Sequence, residues 1–108
     1  MPHENQPRVD LIFEATCPNV DLARSRLRSA FFAAAMWPRW NEWAEDGVDT
    51  PDEFRGLGSP TILVNGKDVS PSKQEPAAGS CRLYRGADGG LDRAPSVLAI
   101  VEKLLTTA

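Results

Sequence analysis

Apolar and polar positions change rhythm several times along this chain, and each change marks an element. Arg8-Val9-Asp10-Leu11-Ile12-Phe13-Glu14 is a β-branched and aromatic run. Its centre is apolar on both faces, as in a central strand covered by helices. From Asn19 or Val20 the period lengthens. Val20, Ala23, Leu27, Ala30, Phe31 and Ala34 recur at three and four residues, which predicts an amphipathic helix of about four turns. Asn19 suits its cap and Asp21 puts an acid in the first turn; Pro18 as first helical residue with Cys17 at the cap fits equally. Pro38 ends the helix near Met36, and a second strand spans Arg39 to Glu45.

Asp46 to Gly58 is polar and broken by Gly47, Pro51, Gly56 and Gly58. With room only for a helical turn at Pro51-Asp52-Glu53-Phe54, it reads as a connection that does not pack. Thr61 to Val64 is then a strand, Asn65-Gly66 a two-residue turn and Asp68-Val69 the start of the returning strand. Ser70 to Gly79 reads as a surface loop, Ser80-Cys81-Arg82-Leu83-Tyr84 as a short run of undetermined type, and Arg85 to Asp92 as loop. Pro95 fits the first position of a final helix whose buried stripe is Val97 or Leu98, Val101, Leu104 and Leu105, with Ile100 at its edge. Residues 1–7 carry two prolines and no apolar period, so they read as a mobile tail. Residues 8–108 form one domain. The order of strand, helix, strand, linker, hairpin and helix predicts an α/β fold.

Composition narrows the function. A chain of 108 residues with 42% hydrophobic and 25% charged residues matches one ordinary soluble domain, and no apolar run approaches a membrane span. The polar start lacks a secretory signal, which predicts a cytoplasmic protein with reduced thiols. A net charge of −3 argues against a nucleic-acid partner. The only histidine, His3, falls in the tail, which disfavours a Cys-His dyad. No phosphate-binding glycine loop is present, and no cofactor is implied. Trp37, Trp40 and Trp43 read as packing of the second strand and its flanks, and Arg24 and Arg28 as a solvated helix side. Asp10, Glu14, Glu42 and Asp68 read as strand-end or solvent-facing groups.

The candidate chemistry is at Glu14-Ala15-Thr16-Cys17-Pro18-Asn19-Val20, which sets a thiol at a strand-to-helix turn. Unpaired amides in the first turn of a helix favour negative charge, so Cys17 is expected to be a nucleophilic thiolate. Cys17 and Cys81 lie far apart in sequence. In a reducing compartment that points to reactive or metal-binding thiols, with a structural disulfide as the alternative. Together they could hold a thiophilic ion of the mercury type, whereas a closed zinc site lacks ligands. A third reading is an interaction module that uses the hairpin edge and the three tryptophans without chemistry.

This element order resembles the thioredoxin-like fold, in particular its glutaredoxin-sized members. Thr16-Cys17-Pro18-Asn19-Val20 is similar to the family's C-x-x-C turn with Val20 replacing the second cysteine. Ser59-Pro60-Thr61 is similar to the family's cis-proline loop. T-C-P-N, G-S-P-T-I-L-V-N-G-x-D-V and S-C-R-L-Y together resemble a small bacterial group linked to alkylmercury lyase naming and heavy-metal resistance. The resemblance implies a four-stranded mixed sheet flanked by helices and thiol-disulfide exchange with a protein or glutathione partner. Cys17 would attack; Cys81 or an external thiol would resolve, since Val20 cannot. Thr16, Pro18, Asn19, Ser59, Pro60 and Thr61 would line the substrate site. Gly89-Gly90-Leu91-Asp92 has the spelling of the segment with which glutaredoxins hold the glutathione carboxylate, with a flexible loop as the alternative.

Overall fold

The central apolar run becomes strand β1, Val9–Phe13, the second strand from the edge of a four-stranded mixed sheet. The computed structural model describes residues 6–71, 82–86 and 88–107. Strands β2 (Asn41–Ala44), β3 (Thr61–Val64) and β4 (Lys67–Asp68) complete the sheet in the order β2-β1-β3-β4. β1 runs parallel to β2, with Leu11 opposite Glu42, and antiparallel to β3, with Leu11 opposite Ile62. Asn65 and Gly66 turn β3 into β4 with φ of 49° and 82°, the paired positive values that a tight hairpin needs and that asparagine and glycine tolerate best.

Alternation along β1 sends successive side chains to opposite faces, and the two faces are covered differently. Val9 and Leu11 join Ile62, Val64 and the buried stripes of helices α1 (Val20–Ala33) and α2 (Val97–Thr107) in the main core. Ile12 and Leu63 point the other way into a smaller cluster closed by Phe54, with Trp43 and Leu57 at its rim. Both helices therefore cover one face, and the segment expected only to connect covers the other. Its 3-10 turn, Asp52–Phe54, carries Phe54 to 5% exposure with its ring 6.0 Å from Trp43.

The α1 stripe is the expected one, but the helix stops before Pro38. Ala35 adopts φ 57°, Ala35 N–H donates to Phe32 O at 3.1 Å, and Met36 N–H donates to Phe31 O at 2.9 Å. This double bond pattern satisfies the last carbonyls and ends the helix whatever follows. In α2 the cap is Ser96, whose Oγ accepts from Ala99 N–H at 3.1 Å. Ile100 and Leu104 are fully buried, whereas Leu98 and Leu105 face solvent. The ends of the expected Arg85 to Asp92 loop also differ, and the run ending at Tyr84 takes a defined type. Tyr84–Arg85 (β5) and Leu91–Asp92 (β6) pair as an antiparallel ribbon. At the other end Gln6 exchanges two hydrogen bonds with the Trp37 backbone and Pro7 is buried, so the folded chain starts before residue 8. His3 and Cys81 lie outside the described residues, and among those described no helix is long and apolar enough to cross a membrane.

Candidate functional site

Beyond the carboxyl end of β1 the chain turns sharply, Cys17 N–H donating to Glu14 O at 2.9 Å. Ala15 and Thr16 are exposed at the tip, and Thr16 Oγ1 donates to Glu14 Oε1 at 3.3 Å. Asn19 is the cap, its carbonyl taking Ala23 N–H at 3.1 Å, and the helix proper begins at Val20. Of the two alternatives left by the sequence, the Asn19 cap is the one formed, so Cys17 precedes the cap. Its side chain turns inward, 8% exposed, against the main core.

Cys17 nevertheless lines a surface cleft of about 260 Å³ with Phe13, Ala15, Pro18, Val20, Asp21 and Arg24. In α/β sheets such crevices at the carboxyl ends of strands are where ligands bind. The charged wall of the cleft is a closed network. Arg24 forks onto Glu42 at 3.0 and 2.8 Å, reaches Asp21 at 2.8 Å and lies 5.7 Å over the Phe13 ring. Its guanidinium, hydrogen-bonded first to Glu42 and then to Asp21, is pushed up from its ordinary value, and Glu42 is held below the usual carboxylate range chiefly by Arg24. Arg24 is thus committed between two carboxylates and is not merely solvated.

The loop before β3 is tied to the Cys17 turn. The Ser59–Pro60 peptide is cis, and Ser59 Oγ accepts from Glu14 N–H at 2.9 Å. Ser59, Pro60 and Thr61 are all buried. Ser59 O accepts from Arg82 N–H at 2.8 Å, and Pro60 O accepts from the Tyr84 hydroxyl. Arg82 also donates to Thr61 Oγ1 at 2.9 Å, to Asp68 Oδ2 at 2.8 Å and to Ser70 O at 3.1 Å, with its guanidinium 4.5 Å over the Tyr84 ring. Burial pushes the Tyr84 phenol well up; Arg82 works against that rise, and the negative charge of Asp68 adds to it.

The candidate residues therefore divide. Thr16 and Pro18 are exposed around the thiol, Asn19 is a buried cap, and Ser59-Pro60-Thr61 forms a buried shelf whose Ser59 and Pro60 carbonyls are already bonded. In the Gly89-Gly90-Leu91-Asp92 segment, Gly89 N–H donates to Gly86 O at 3.0 Å and Gly90 N–H to Asp88 Oδ1 at 2.9 Å, and the Asp92 carboxylate pairs with Arg26 at 2.9 Å. Among the described residues no group of three or more His, Cys, Asp or Glu converges to hold a metal ion. Trp40 stacks 6.1 Å from Phe31 and Trp43 packs at the rim of the smaller core, while Trp37 is exposed.

Sequence reasoning missed Arg82 and Tyr84, although the S-C-R-L-Y run contains both. Asp10 was also misjudged as strand-end or solvent-facing. It is 1% exposed and accepts from Trp43 Nε1 at 2.9 Å and Asn41 Nδ2 at 3.2 Å. Its Oδ2 lies 2.8 Å from Arg8 Nε in an ion pair off line for a hydrogen bond. An aspartate inside an apolar strand is a sign of such buried pairing.

Comparison of the chain with known protein families, curated proteins and solved structures gave no match. Fold and site together define a small α/β protein with a mixed four-stranded sheet, two helices on one face and a recessed thiol at the carboxyl end of its central strand.

Proposed function

We propose that this chain is a thioredoxin-like thiol-disulfide exchange protein acting through Cys17. The observation that carries the reading is the position of Cys17: it follows the central strand, precedes the cap of α1 and opens into a cleft. The element order, the sheet order and the Ser59-Pro60-Thr61 shelf joined to the Cys17 turn through Glu14 support it. In the reaction the Cys17 thiolate attacks one sulfur of a substrate disulfide. A bond forms between the two sulfurs, the substrate S–S bond breaks, and the departing sulfur leaves as a thiolate that takes up a proton. The substrate is half reduced and Cys17 is oxidised to a mixed disulfide. A second thiolate, from Cys81 or from solution, then attacks the Cys17 sulfur: the mixed disulfide breaks, the remaining half leaves as a thiolate that takes up a proton, and Cys17 ends in a new disulfide with the attacking sulfur.

Trapping tests this reading. Reduced protein mixed with a disulfide-bonded peptide and quenched in acid should carry the half-peptide at Cys17, detected by mass spectrometry, and Cys17→Ser should carry none at that position. Modification at Cys81 alone would reject the assignment of Cys17.

A further inference from the structure

Arg82 and Tyr84 take no part in the exchange chemistry, yet they hold the shelf beside it. Tyr84 donates to Pro60 O across 24 residues of sequence, and Arg82 N–H donates to Ser59 O at 2.8 Å. Ser59 Oγ receives Glu14 N–H at 2.9 Å, and Glu14 O receives Cys17 N–H at 2.9 Å. A continuous path of hydrogen bonds and short peptide links thus runs from the Tyr84 hydroxyl to the residue that bears the sulfur. The Arg82 guanidinium stiffens the far end, packed on the Tyr84 ring and bonded to Thr61 and Asp68. Both side chains are buried, whereas Leu83 between them is 45% exposed, so the segment turns its two polar side chains inward.

We propose that Arg82 and Tyr84 form a clamp that keeps Cys17 recessed and sets how often its sulfur opens to a reagent. The functional meaning of the clamp rests on the reading of Cys17 as the nucleophile; the clamp itself is a statement about access. Local openings of a native protein are governed by the contacts each opening breaks. Without the Tyr84 hydroxyl the buried Pro60 carbonyl loses its donor, so the closed state loses stability relative to the locally open one. Arg82 and Tyr84 are positioning residues in this scheme and touch no substrate.

Labelling kinetics decide the matter. The full-length protein, with both cysteines reduced, is treated with iodoacetamide at several sub-denaturing urea concentrations, and modification of the Cys17 peptide is followed by mass spectrometry. Tyr84→Phe should label roughly tenfold faster than wild type, the factor one lost buried hydrogen bond supplies, and Arg82→Lys about threefold faster. Both rates should be nearly flat in urea, because a local opening exposes little surface. Leu83→Ala should label at the wild-type rate. Wild-type rates in both clamp variants, or acceleration with the same urea slope as global unfolding, would overturn the clamp. If Tyr84→Phe does not fold, Arg82→Lys alone carries the same two outcomes. Exchange activity is measured separately, so loss of the exchange reading and loss of the clamp are distinct results.

Discussion

Arg24 in α1 and Glu42 in β2 share two hydrogen bonds, 3.0 and 2.8 Å long, that join the helix to the edge strand beside the thiol cleft. Each side chain is about one-third exposed, so solvent screens the pair and Glu42→Gln should cost only about 0.5–1 kcal/mol at pH 7. The pH dependence has a defined sign. Because Arg24 lowers the Glu42 value in the folded protein, the stabilisation is complete above the unfolded carboxyl value of about 4.3 and is lost as pH falls through the folded value. Urea midpoints of wild type and variant should therefore converge on acidification below about pH 4. A constant gap from neutral pH to pH 3 would argue against the pair.

Phe54 should behave as a core residue. It is the aromatic cap of the smaller cluster against Ile12 and Leu63, so Phe54→Ala should destabilise the protein by about 3–4 kcal/mol, measured by urea unfolding. A loss below about 1 kcal/mol, the scale of a surface change, would mean that the 46–58 segment only connects.

Ala35 holds φ 57° at the end of α1, a conformation that costs an L-residue about 1–2 kcal/mol. Glycine removes that strain but adds freedom to the unfolded chain, so Ala35→Gly should stabilise by about 0.5–1 kcal/mol. A lowered thermal midpoint would contradict the assignment of Ala35 as the helix-ending residue.

What the sequence revealed was whatever repeats locally. The stripe of Val20, Ala23, Leu27, Ala30 and Phe31 and the Asn65-Gly66 turn are set by neighbours a few residues apart, and both stand where the pattern puts them. The helical turn at Pro51 to Phe54 was legible, but the contacts that bury Phe54 against Ile12 and Leu63 lie far off in sequence, and the two-residue strands β5 and β6 are too short to show a period. In α2 the expected Val97, Val101 and Leu104 do face the main core, but Ile100 sits at the centre of the stripe and not at its edge, while Leu98 and Leu105 are exposed. At the site, the thiol and the Pro60 loop were visible as types of residue at telling positions. The clamp was not, since nothing local in Arg82 or Tyr84 announces contacts with Ser59, Pro60 and Thr61.

The most direct measurement is the rate at which the protein catalyses exchange between a small neutral disulfide and a dithiol at pH 7, for wild type, Cys17→Ser and Cys81→Ser. The account predicts that Cys17→Ser loses the catalysed rate to the uncatalysed background, while Cys81→Ser keeps it because the external dithiol resolves the mixed disulfide. Catalysis that survives in Cys17→Ser would contradict the central claim that this sulfur is the nucleophile.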